Sequence, residues 1–123
     1  MNLVDTTGWV EYFAGGKKAD FFEKALEDTD NLLVPAICFY EVFKVLLREC
    51  GEDDALAAVA RMKQATVVPM NDEIAILAAR NSLELKLPMA DAVIYTTARM
   101  YDAILYSMDA DFKGLSHVKY TEK

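Results

Sequence analysis

The sequence predicts an α/β domain: a central, mostly parallel sheet of about four to five strands flanked by helices. Two observations carry this. Short apolar runs, Met1–Val4, Leu32–Val34, Thr66–Val68 and Ala103–Ser107, alternate with longer stretches whose apolar residues recur at helical spacing. Start and stop residues punctuate the longer stretches: Gly15-Gly16 and Gly51 end helices, and Pro35 and Pro88 stand where a first helical turn begins. With 123 residues there is material for one domain and one core, so residues 1–123 are expected to form a single unit.

Taken in order, the first strand ends at Asp5. Thr6 or Thr7 is expected to cap a helix starting near Gly8, and Gly15-Gly16 closes it. Lys17 to about Glu27 forms a second helix with Phe21, Phe22, Ala25 and Leu26 as its apolar stripe. After the Leu32–Val34 strand comes a helix over Ala36–Glu49, then one from Glu52 to about Lys63, with Leu56, Val59 and Met62 facing in. Thr66–Val68 leads to a helix capped by Asn71 and running to about Leu85. Pro88 opens the last helix, PMADAVIYTTARMYD, which precedes the Ala103–Ser107 strand. Val118–Tyr120 is a final edge strand.

Net charge is −7, which argues against nucleic-acid binding by bulk electrostatics. It leaves a nuclease open, because a carboxylate site looks acidic until its cations arrive. One histidine, His117, makes a His-rich zinc site impossible and disfavours Ser-His-Asp or Cys-His catalysis. Cys38 and Cys50 form no CxxC pair and read as reduced thiols. No run reaches the roughly 20 apolar residues of a membrane span, and no signal-peptide pattern opens the chain; the expectation is a cytoplasmic protein without membrane attachment.

Glu41 lies in the middle of Ile37–Leu47, an apolar run of helical length. Burying an ionised carboxylate costs several kcal/mol unless it is paired or coordinated. In an open α/β sheet the binding crevice lies beyond the carboxyl ends of the strands. Asp5 ends the first strand, Asp109 lies just past the fourth, and Glu41 and Asp91 occupy early turns of helices entered from that edge. Four carboxylates on one edge repel unless protonated or bridged by a cation. With oxygen ligands only, that cation is hard, Mg2+ or Mn2+, and the chemistry that suits it is phosphodiester hydrolysis.

These segments resemble the PIN-domain ribonucleases, in particular the VapC-type toxins of prokaryotic toxin–antitoxin pairs. LVDTTGWVEYF looks like the family's opening strand with its first acid. Tyr40-Glu41-Val42 resembles the segment bearing the family's glutamate. Leu87-Pro88-Met89-Ala90-Asp91-Ala92-Val93-Ile94 resembles its "lPxADAxI" signature, and Leu105–Phe112 its closing "lxTxDxDF", with Ser107 where Thr is more usual. The resemblance runs nearly end to end, with its motifs in family order. It implies a PIN-like three-layer fold with Asp5, Glu41, Asp91 and Asp109 as catalytic metal ligands and Asp111 as a fifth acid. Thr6 and Ser107 become supporting hydroxyls. It further implies an RNA substrate, a homodimer and a small inhibitory antitoxin. Lys44 and Arg48, leading away from Glu41, are candidate RNA-backbone contacts.

Singly, each acid has a plainer reading. Asp5 suits a helix cap, Asp91 a first-turn dipole partner, and Asp109 and Asp111 turn positions. Glu41 has an intrahelical pair with Lys44 or Arg48 available. Tyr40, Tyr95 and Tyr106 read as core before they read as base-stacking groups. The Ala55–Ala60 stretch and the aromatic second helix are candidate dimer or antitoxin surfaces as well as core. Two rival functions are a catalytically silent RNA- or protein-binding PIN module and a receiver-like phosphoacceptor. The latter fits poorly, since no Asp follows Val67-Val68-Pro69 until Asp72.

Overall fold

The computed structural model describes residues 1–123. Strands β1 (Asn2–Val4), β2 (Leu32–Pro35), β3 (Thr66–Val68), β4 (Ile104–Ser107) and β5 (Val118–Tyr120) form one sheet in the order β3-β2-β1-β4-β5. Every neighbouring pair is parallel. Such a sheet needs crossover helices, and six flank it: α1 (Thr6–Ala14), α2 (Ala19–Glu27), α3 (Ala36–Cys50), α4 (Glu52–Met62), α5 (Asp72–Leu85) and α6 (Met89–Met100). A parallel sheet covered on both faces makes strands that are apolar throughout. Leu3, Val4, Leu32, Leu33, Val34 and Leu105 are accordingly all buried.

The strand order rules out the receiver-like alternative, whose scaffold runs 2-1-3-4-5. Here β1 is central, and both β2 and β4 pair with it. The carboxyl ends of β1 and β4 therefore lie side by side.

Helix α1 leaves β1 without a connecting loop. It starts at Thr6, two residues earlier than the sequence predicts, and its cap is Asp5 rather than a threonine: Asp5 Oδ1 accepts from the Gly8 amide at 3.0 Å. The carboxylate reaches the third amide of the helix, which leaves both threonine hydroxyls for other partners. Gly8 is required by contact. A Cβ there would overlap Val4 Cγ1 and lie 2.7 Å from the Phe22 ring.

Other departures have local causes. Leu56 is exposed, because α4 packs on α3 through Ala55 and Ala58, and that side of the alanine stretch is core, not a docking surface. The aromatics of α2 turn inward: Phe22 is buried, and Phe21 meets Tyr106 edge-on at 5.9 Å. Tyr95 is core as expected, but Tyr40 is 65% exposed, on the solvent side of α3 with Lys44 Nζ 5.5 Å from its ring centre. Two 3-10 turns, Thr29–Asn31 and Ala110–Phe112, are too short to leave a periodic signal.

Candidate functional site

Four segments deliver acids to the carboxyl edge of β1 and β4. Asp5, 1% exposed, is fixed from three directions. Its Oδ1 accepts from Gly8 N and from Thr7 Oγ1 at 2.6 Å, and its Oδ2 accepts from Ser107 Oγ at 2.5 Å. Ser107 in turn accepts from the Asp109 amide at 2.9 Å. Asp109 caps the 3-10 turn that follows, its Oδ1 accepting from Asp111 N at 2.9 Å. One serine hydroxyl thus joins the first acid to the loop carrying the last two.

Asp91 projects from the first turn of α6, entered through Pro88. Carboxylate oxygens of Asp91, Asp109 and Asp111, one from each, all lie within 4.8 Å of one another, close enough to hold a metal ion. The Asp91 carboxyl is pushed up to about 8, first by burial, then by the charge of Asp109 beside it and by Asp111. Asp5 rises to about 6 through burial, against the opposing pull of its bonds from Ser107, Thr7 and Gly8, with the Asp109 charge adding to the rise.

Glu41 faces the same edge from the second turn of α3. Its Oε1 accepts from Thr6 Oγ1 at 2.6 Å. It makes no ion pair with Lys44 or Arg48. Arg48 pairs with Glu49 at 3.4 Å on open surface, so the intrahelical reading of Glu41 does not hold. Beneath the acids lies Cys38, whose thiol is held far above its ordinary value by burial and by the charges of Asp5, Glu41 and Asp91. Three acids distant in sequence therefore bear on one buried sulfur.

Of the predicted site residues, Asp91, Asp109 and Asp111 form one compact cluster. Asp5 lies outside that trio and is tied to the Asp109 segment through Ser107, and Glu41, also outside it, is held by Thr6. Lys44 and Arg48 extend along the exposed side of α3. The chain's two ion pairs, Arg48–Glu49 and Lys113–Glu122, involve none of the clustered acids. Without a lysine or arginine partner, crowded carboxylates are left to protons or an external cation, and an all-oxygen set suits a hard divalent ion. Thr7 escaped sequence reasoning. Its only signal was a second hydroxyl beside the first acid, indistinguishable from a helix cap.

The PIN domain family model matches residues 3–118. The chain belongs to the PIN domain family, a family of nucleases. No curated protein sequence matches it. Among solved structures it is similar to a toxin–antitoxin complex from Klebsiella pneumoniae, with a TM-score of 0.85 at 20% identity over 100% of both chains. It is also similar to VapC20 of Mycobacterium tuberculosis, a toxin that cleaves the sarcin–ricin loop, with a TM-score of 0.79 at 19% identity over 94% of this chain and 95% of that one. A third is VapBC2 of Rickettsia felis bound to a promoter DNA fragment, with a TM-score of 0.74 at 11% identity over 98% of this chain and 97% of that one. At these identities the likeness is one of fold.

Proposed function

We propose that the chain, as a single domain, is a Mg2+- or Mn2+-dependent endoribonuclease and the toxin of a toxin–antitoxin pair. The carrying observation is the acidic cluster: three ligand oxygens within 4.8 Å with no cation of the chain among them, where Asp91 holds its proton to about pH 8. Asp91 and Asp109, with Asp5 and Glu41 from the neighbouring segments, are the proposed ligands, and Asp111 supports them. Bound there, the divalent ion supplies Lewis acidity toward the scissile phosphate and activates water. Ser107 and Thr6 orient the carboxylates of Asp5 and Glu41. Lys44 and Arg48 offer positive charge to an RNA backbone along α3.

VapC20 is named as a toxin that cuts an RNA loop, and the Klebsiella relative is named as a toxin–antitoxin complex. Those names support RNA as substrate and a small antitoxin as partner. No helix is long and apolar enough to cross a membrane, which fits action in the cytoplasm. A homodimer is supported by the face shared by α5 and α6. There Ile76, Leu83 and Met89 are 65, 85 and 75% exposed. Leu83 and Met89 line a groove of about 530 Å3 floored by Ala75, Ala78, Ala79 and Ala92. Protrusion and recess on one face suit a two-fold contact between copies. Asp72 and Lys86, at the two ends of α5, would meet in an antiparallel pairing.

The deciding experiment incubates purified protein with Mn2+ and single-stranded or structured RNA. Wild type is expected to cleave, and Asp91→Asn to lose at least about 100-fold in rate with unchanged circular dichroism, the size of effect seen when charge-stabilising groups at a reacting centre are removed. Intact RNA from wild type, with no Mn2+ effect on melting or on Trp9 fluorescence, would sink the assignment.

A further inference from the structure

We infer that Thr7 is a positioning residue that straps the Asp109 loop to Asp5 with a single hydroxyl. The inference rests on the proposed reading of Asp5 and Asp109 as metal ligands. It begins with an interrupted ladder. In the parallel β1–β4 pair, Val4 stands opposite Tyr106, and the Asp5 amide donates to the Tyr106 carbonyl at 3.1 Å. The next bond of such a ladder would run from Met108 N to the Asp5 carbonyl. That carbonyl is already taken, because it accepts from Gly8 N and Trp9 N at the start of α1. The sharp passage from β1 into α1, which caps the helix on Asp5, therefore deprives β4 of its last partner just before Asp109.

Thr7 fills the gap. Met108 N donates to Thr7 Oγ1 at 3.2 Å, and the same Oγ1 donates its proton to Asp5 Oδ1 at 2.6 Å. The hydroxyl donates its one proton to the first acid and offers a lone pair to Met108, the residue before Asp109. Ser107 makes a parallel link from the β4 side, donating to Asp5 Oδ2 and accepting from Asp109 N. The two hydroxyls together set the spacing between the Asp5 carboxylate and the Asp109 segment before any ion arrives. Groups that orient ligands in this way typically govern metal affinity by about 10–100-fold.

The test compares Thr7→Val, which keeps the shape and loses the hydroxyl, with Thr7→Ser, which keeps the hydroxyl. Two readouts are taken: Mn2+ affinity by calorimetric titration, and hydrogen exchange of the Met108 amide in metal-free protein. Thr7→Val is expected to weaken Mn2+ binding about tenfold or more and to speed Met108 exchange. Thr7→Ser should remain near wild type in both. Thr7→Val binding Mn2+ within about twofold of wild type, or Thr7→Ser proving as weak as Thr7→Val, overturns the inference, the latter because packing of the methyl would then be what matters. Should wild type bind no Mn2+, the metal assignment fails by itself. The exchange experiment then still decides the strap: it stands if Met108 loses protection in Thr7→Val alone, and falls if protection is unchanged.

Discussion

Asp91 and Asp5 hold protons that an ordinary aspartate would have released, and this sets a pH dependence of unusual sign. Their native values, about 8 and about 6, lie above the 3.8 of an unperturbed aspartate, so between pH 4 and 8 the folded protein binds more protons than the unfolded chain. Stability of the metal-free protein then falls as pH rises through that window. Asp91 is only partly buried and its share is discounted for screening; the expected loss from pH 5 to pH 8 is about 1–3 kcal/mol, several degrees in Tm. A divalent ion needs the ionised carboxylates, so Mn2+ should raise Tm more at pH 8 than at pH 5.5. Asp91→Asn should flatten the metal-free slope. Melting curves across pH with and without Mn2+ check all three, and a metal-free Tm that climbs toward pH 8 contradicts them. At this scale the acids were legible because each interrupts or ends an apolar run. Thr7 was not, because its role exists only once α1 has taken the Asp5 carbonyl. The exposure of Tyr40 was not legible because its place in an apolar helix reads as core, while the α3 stripe that is buried runs through Cys38, Val42 and Leu46.

The β1–α1 unit is the element on which the edge depends. Gly8 lets α1 lie directly on Val4 and against α2, where any larger residue meets the Phe22 ring. Both neighbours are fully buried and have no room to retreat. Gly8→Ala is therefore expected to cost about 1–3 kcal/mol by overpacking, despite alanine's better helix propensity. Chemical denaturation gives the answer, and an unchanged or raised midpoint would show that the contact relaxes freely. The strands were readable from sequence because a sheet covered on both faces writes itself as short apolar runs. Helix starts were less so. A threonine and an aspartate are both good caps, and only the reach of Asp5 to the third amide decides between them. The inward stripe of α2 was legible from its spacing, whereas the inward face of α4, Ala55, Ala58 and Met62 rather than Leu56, depends on the close approach of α3, which no local pattern names.

At the scale of the whole molecule, strand order was the part hidden from sequence. Alternation of strands and helices announces a parallel sheet but does not say which strands touch. The apolar α5–α6 face was hidden too, since Leu83 and Ile76 follow a helical spacing as core residues do. If that face joins two copies, wild type sediments at twice the 13.8 kDa chain mass. Leu83→Arg, at an 85% exposed position, should give monomers with an unchanged circular dichroism spectrum and a Tm that no longer depends on protein concentration. A wild type that sediments as a monomer at tens of micromolar would refute the pairing. The central place of β1 has one more effect. Its two flanking partners begin at Leu32 and Ile104, and the Ser107 bond to Asp5 spans 102 residues. During synthesis, at about 5–20 residues per second, roughly 5–20 s separate the first acid from the strand that completes its surroundings. Throughout that interval one flank of β1 is bare and the acids of α6 and the β4 loop have nothing to meet. Under the ribonuclease reading, a ribosome making this protein is not exposed to its activity until β4 and the Asp109 loop have been made.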